Sequence, residues 1–189
     1  MRYIKQVKNS QVPTMGVARA GKAPRETGQA PAAKKGPHNM SFVNEKNVLL
    51  HQTASTKEEA LRTISDYAVT LGATDSADEI YSAFLDREEI DKTGMVDGFA
   101  VPHCKSTAVK QATIVIYKNE TALEWPSLDD KDVDIAMALL IPDGEAGTTH
   151  LRLLSKAAVL LMNDEFKATL RSSDDAAEIA EVLNKGLEG

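Results

Sequence analysis

The sequence predicts an α/β fold, an α/β/α sandwich in which a central mixed β-sheet is flanked by helices. Three observations predict it. Two capping boxes open amphipathic helical stretches in the first half, three β-like apolar runs follow, and two further helical patterns close the chain. Alternation of this kind points to layered helix and sheet rather than to a helical bundle or an all-β barrel, and it leaves strand order open.

Taken in order, the stretch from Val12 to Pro37 is rich in Pro, Gly, Ala and Lys and has no apolar periodicity. Such a segment cannot bury enough surface to offset its ordering entropy, so residues 1–40 read as a disordered basic tail or linker and 41–189 as the folded domain. Asn47 to Gln52 reads as a short strand or an extended entry segment. Thr56-Lys57-Glu58-Glu59 then caps a helix with its apolar stripe at Ala60, Leu61, Ile64, Ala68 and Leu71, and Gly72 ends it. Ser76-Ala77-Asp78-Glu79 caps a second helix whose apolar side is Ile80, Phe84 and Leu85, with Arg87 near its carboxyl end. After the glycine-broken "DKTGMVDG" come three strands: Phe99 to Val101, Ala112 to Tyr117, and Val133 to Ile141. The last is mostly apolar, as suits a strand covered on both faces. A helix starting around Thr149 places Leu151, Leu154, Ala158 and Leu161 at helical spacing. A final helix from about Ser173 carries Ala176, Ile179, Ala180 and Leu183 on one face.

Charge is divided unevenly. Residues 1–40 hold eight of the 22 Lys/Arg and one of the 28 acids, leaving 14 basic against 27 acidic side chains in the rest. A body this acidic repels phosphate backbones, which argues against nucleic-acid binding and favours a basic protein partner. The 189 residues suit one α/β domain with a tail. The longest apolar run, Ile135 to Ile141, falls far short of a membrane span, and no signal peptide is recognisable, so the expected location is cytoplasmic. A single cysteine, Cys104, excludes an internal disulfide and a cysteine-based zinc site.

The chemistry rests on histidines. His38 falls in the tail, and His51 at the end of a strand reads as structural. His103 follows Pro102, whose fixed φ presents the imidazole from a defined backbone, yet an isolated histidine in that setting still reads first as structural. His150 alters the balance. It occupies the first turn of the helix announced by "GTTHLRLL", where free N–H groups and the helix dipole favour an anion and a neutral ring. Two histidines and Arg87, with neither metal-ligand clustering nor a Gly-rich phosphate loop, suit transient phosphate bonded to nitrogen, if they meet in space.

The blocks "YSAFLDREEIDKTGMVDGFAVPHCKS", "LEWPSLDDKDVDIAMALLIP" and "THLRLLSKAAVLLMNDEFKATLRSSDDAAEI" occur in that order. With them the chain resembles, from about Asn47 to Leu187, the type-2 EIIA (IIA) components of the bacterial sugar phosphotransferase system: the fructose/mannitol class, with the nitrogen-regulatory IIA proteins. The resemblance implies that His103 is the phosphorylated histidine, through its ε nitrogen. It implies that His150 is the second active-site histidine, and that Arg87, the arginine of the "RE" motif, helps hold the phosphoryl group. It further implies a relay in which the phosphocarrier protein HPr phosphorylates His103, which passes the group to a cysteine of a cognate EIIB domain, with the membrane reached only through the EIIC permease. No cofactor or metal is expected. Cys104 departs from the small residue, often glycine, that the family frequently has after the histidine, and reads as a packing substitute rather than an oxidisable neighbour.

Two surface expectations and a choice of role remain. Met95, Val96 and Phe99 form either an apolar docking surface beside His103 or part of the core, with Asp97 and Glu145 as acidic rim or merely solvated charges. Trp125 reads as a packing residue. The role is either that of a phosphoryl carrier for fructose-type sugar uptake or that of a regulatory module of the nitrogen-regulatory kind, and Arg87, His103 and His150 serve both. A metal-dependent hydrolase using His103, Cys104 and His150 is weaker, for want of a fourth ligand or a general-base carboxylate at suitable spacing.

Overall fold

The structure, a computed structural model, describes residues 43–144 and 148–188, with the side chains of 148–150 outside the description. All described residues belong to the unit Asn39–Gly189. The expected tail, with His38, and the rim candidate Glu145 lie outside the described residues.

The elements run β1 (Val48–Gln52), α1 (Lys57–Thr70), α2 (Ala77–Ile90), β2 (Phe99–Ala100), β3 (His103–Ser106), β4 (Thr113–Leu123), β5 (Val133–Pro142), α3 (Thr148–Leu160), α4 (Asp164–Ser172) and α5 (Ala176–Glu188). Both expected caps form: the Thr56 hydroxyl accepts from Glu59 N–H at 3.1 Å and that of Ser76 from Glu79 N–H at 3.3 Å. Gly72 ends α1 with φ 71°, a left-handed conformation that glycine adopts without penalty.

Five strands make one mixed sheet in the order β1-β4-β5-β2, with β3 also on β5. β1 runs parallel to β4, β4 antiparallel to β5, and β2 and β3 parallel to β5. The mostly apolar β5 is thus central, and its side chains alternate between two cores. Ile135, Met137, Leu139 and Ile141 pack with α3, α4 and α5, while Ala136, Ala138 and Leu140 pack with α1 and α2. Ile80 and Phe84 of α2 are fully buried, each contributing ~1.5–3 kcal/mol by removal of apolar surface from water.

Three local readings are amended. The strand expected to end at Val101 resumes as β3 after a break at Val101-Pro102, β4 extends to Leu123, and α4 forms a helix of its own. At the break, Val101 N–H leaves the sheet to donate to the Thr93 carbonyl at 2.9 Å, and Pro102 has no N–H to give. Phe99 is core, 1% exposed, with the Arg171 guanidinium 4.9 Å over its ring, so it is no part of a docking surface. Its apolar ring belongs under the sheet because strand alternation turns it toward α4 and α5.

Candidate active site

β3 lies at an edge of the sheet, and its alternation buries Cys104 while leaving His103 half-buried. The imidazole is gripped at both nitrogens. Nδ1 lies 3.0 Å from the Val101 carbonyl, and Nε2 lies 2.8 Å from Nε of Arg87. A carbonyl can only accept and a guanidinium N–H can only donate, so the contacts assign the proton to Nδ1 and leave the Nε2 lone pair accepting from Arg87. Val101 can serve because it precedes Pro102 in extended backbone, two residues before the ring it orients.

Arg87 arrives from the last turn of α2. The buried stripe of that helix is Ile80 and Phe84, and positions 87 and 88 continue it one turn further, where the helix emerges beside β3. Nη1 of Arg87 also donates to the Asp91 carbonyl at 2.9 Å, which holds the fork in place. Ala83, Asp86, Arg87, Ile90, His103 and Lys105 line a cleft of about 340 Å³. Larger clefts, of about 620 Å³ beside α5 and about 570 Å³ beside α4, contain no histidine. Cleft volume does not rank these sites; the chemistry of the lining does.

His150 lies in the first turn of α3 by its backbone, as the sequence reading expects, and its side chain is outside the described residues. The structure therefore brings Arg87 and His103 together directly. His51 is separate: exposed, at φ 56°, it pairs with Glu120 at 2.7 Å on the far edge strand β1. Burial pushes the Cys104 thiol up to about 12, which makes it an unreactive packing group. Trp125 is 3% exposed and is likewise internal. Asp97 forms ion pairs with Lys131 and Lys167, and its carboxyl lies below the ordinary range, chiefly through the Lys167 hydrogen bond. Among the described residues no three His, Cys, Asp or Glu side chains gather as a metal site, and no helix is long and apolar enough to cross a membrane.

Sequence reasoning gave no role to Glu88, whose side chain is 5% exposed beside Arg87. It accepts from the Thr93 hydroxyl and from Trp125 Nε1–H at 3.2 Å, and lies 3.7 Å from Lys57 Nζ. These partners sit five, 37 and 31 residues away, beyond what local pattern reveals. Two signals were available: Glu88 is the acid of the "RE" pair, and it is an acid on the apolar stripe of α2, where such a group is buried only if it is paired.

The chain is 30% identical over 148 residues to the 2-O-alpha-mannosyl-D-glycerate-specific EIIABC component of the phosphotransferase system (PTS) from Escherichia coli; the match takes in 77% of this chain and 22% of that much longer relative. It is 28% identical over 141 residues to the PTS fructose-specific EIIA component of Haloferax volcanii, covering 75% of this chain and 91% of the relative. A nitrogen regulatory protein of Bradyrhizobium diazoefficiens is 31% identical over 130 residues, 68% of this chain and 83% of that one. The fold matches the nitrogen regulatory protein IIA-Ntr of Neisseria meningitidis with a TM-score of 0.70 at 23% identity, over 75% of this chain and 96% of the other. It also matches the structure of the complex of IIA mannitol and phosphorylated IIB mannitol of Escherichia coli with a TM-score of 0.64 at 20% identity, over 76% and 97%. Residues 41–186 match the family described as phosphoenolpyruvate-dependent sugar phosphotransferase system, EIIA 2, and the chain, with its layered fold, belongs to that family.

Proposed function

We propose that this protein is a phosphoryl carrier, accepting phosphate on Nε2 of His103 from the phosphohistidine of HPr and passing it to a cysteine of a cognate EIIB domain. The observation that carries the reading is the two-sided hold on the ring, Nδ1–H on the Val101 carbonyl and Nε2 facing Arg87. In the first step Nε2 attacks phosphorus, the P–N bond of the donor breaks as the new one forms, and the donor ring departs neutral. His103 keeps its Nδ1 proton throughout, and the positive charge its ring gains is met by the carbonyl on one side and the phosphoryl oxygens on the other. In the second step a cysteine thiolate attacks, an S–P bond forms, and the imidazole leaves neutral because the Nδ1 proton never moved. A histidine held in this tautomer is thus both nucleophile and leaving group.

Once Nε2 bonds to phosphorus it accepts no hydrogen bond, so the guanidinium of Arg87 turns to the equatorial oxygens, where its planar fork stabilises the charge of the transition state. His150, in the first turn of α3, is assigned the second hydrogen bond to those oxygens at the amino end of the helix. The scheme uses no nucleotide. Fructose-type uptake is the favoured setting, on the similarity to the fructose-specific EIIA component. A regulatory role is the second reading, on the 31% identity to a nitrogen regulatory protein.

The test is mapping of acid-labile phosphate by mass spectrometry after incubation with phosphoenolpyruvate, enzyme I and HPr. His103→Ala abolishes incorporation, and Cys104→Ala retains it; equal loss in both reassigns the nucleophile. Rapid, selective passage to one EIIB domain marks transport, and passage to none marks regulation.

A further inference from the structure

Glu88 touches nothing that would react, yet its contacts join both sides of the His103 ring. On the Arg87 side it is the next residue of α2, so whatever fixes its carboxylate fixes the last turn from which the guanidinium reaches Nε2. On the Nδ1 side the connection runs through hydrogen bonds. The Thr93 hydroxyl donates to Glu88, the Thr93 carbonyl accepts Val101 N–H at 2.9 Å, and the Val101 carbonyl holds His103 Nδ1 at 3.0 Å. A single residue, Val101, thus separates the bond to the Thr93 carbonyl from the carbonyl that sets the tautomer.

A third arm comes from the connection between β4 and β5. Trp125 Nε1–H donates to Glu88 at 3.2 Å, Ser127 C=O accepts Lys92 Nζ at 2.6 Å, and Leu128 N–H donates to the Met95 carbonyl at 3.0 Å. The two loops touch so closely that a Cβ on Gly94 would lie 2.4 Å from the Pro126 carbonyl oxygen. A carboxylate with 5% exposure is tolerable only with such partners, and Lys57 Nζ at 3.7 Å completes the set.

Resting on the reading of His103 as phosphoryl acceptor, we infer that Glu88 is a positioning residue, which holds His103 as its Nδ1–H tautomer and Arg87 against Nε2 by clamping Thr93 and Trp125. Its carboxylate accepts from both donors at once. In Glu88→Met the side chain keeps its length but offers at most a weak thioether acceptor, so the contacts to Thr93 and Trp125 open and Thr93 is released, whereas a glutamine could keep both by donating to the Thr93 hydroxyl oxygen and accepting from Trp125.

The experiment uses the full chain with ¹⁵N-labelled histidine. Long-range ¹H–¹⁵N correlation spectra report which ring nitrogen carries the proton, and the rate of phosphate incorporation from phosphorylated HPr is measured alongside. Wild type shows a single Nδ1–H tautomer. Glu88→Met shows a mixture with Nε2–H and a transfer rate lower by roughly tenfold, within the ~100-fold that a misplaced reacting group can cost. Thr93→Val, which removes the hydroxyl and keeps the side-chain shape, moves both readouts the same way and decides the matter if Glu88→Met does not fold. A lower melting temperature with unchanged tautomer and rate makes the role merely structural and overturns the inference, as does movement of either readout without the other. If the wild type takes up no phosphate, the carrier reading fails, and the tautomer comparison alone then judges Glu88.

Discussion

A histidine serves transfer in both directions only if its two nitrogens stay unlike, and here each is matched to one partner: a carbonyl that accepts and a guanidinium that donates. The guanidinium also has to let go. Arg87→Lys substitutes a point charge for the planar fork, so phosphate incorporation is expected to fall about 100-fold, in line with loss of a donor aimed at developing charge. Quench-flow with phosphorylated HPr measures it, and a change below threefold would show that charge alone suffices. Both residues were singled out in the sequence only through the family resemblance of their blocks, since a histidine after Pro102 by itself reads first as structural. The Val101 carbonyl was not, because a backbone acceptor leaves no mark in side-chain identity. Glu88 escaped for another reason: its pairing depends on Trp125, which only the tertiary fold brings near. The packing assignments of Cys104 and Trp125 hold, since both are internal, whereas Phe99 shows the weakness of judging exposure from proximity in sequence.

At the scale of elements, the turn that feeds β2 is held by charge. Asp97 and Gly98 take the left-handed backbone at φ 57° and 80°, and Asp129 accepts Asp97 N–H at 2.9 Å. That bond, aided by Lys131, draws the Asp129 carboxyl down to about 2 from an ordinary 3.8. A carboxyl depressed in the folded state stabilises it in full above the unfolded value and loses that contribution as pH falls through the folded one. The window is therefore from about pH 4 to about pH 2. Denaturant titrations of wild type and Asp129→Asn are expected to differ at pH 6 and to converge across that window; a constant gap would deny the carboxylate its role. Elements with strong local signals were readable: α1 and α2 from their caps, β5 from its apolar run. α4 has nine residues with only Phe166 and Leu170 buried, too few for a clear period. β3 is hidden by Pro102 and by the polar pattern of an edge strand.

For the whole molecule, the excess of 27 acids over 14 bases beyond residue 40 makes approach of a basic carrier dependent on ionic strength. The second-order rate of phosphate uptake from a basic HPr is expected to fall several-fold between 50 mM and 500 mM salt, while passage within a preformed complex stays level. A rate indifferent to salt would remove long-range attraction from the encounter. The layered architecture was foreseeable because helices and apolar strands alternate, but the central place of β5 follows from pairing that no single segment encodes. The interruption at Val101-Pro102 has an effect beyond the imidazole it orients. β2 is only two residues long, and its outer side is taken up by the 93–95 loop, through Met95 N–H to the Phe99 carbonyl and the Gly94–Ala100 bridge. A flank so short and already occupied is a poor template for a stray strand from another chain, so the same break that orients the ring also guards against self-association into fibrils.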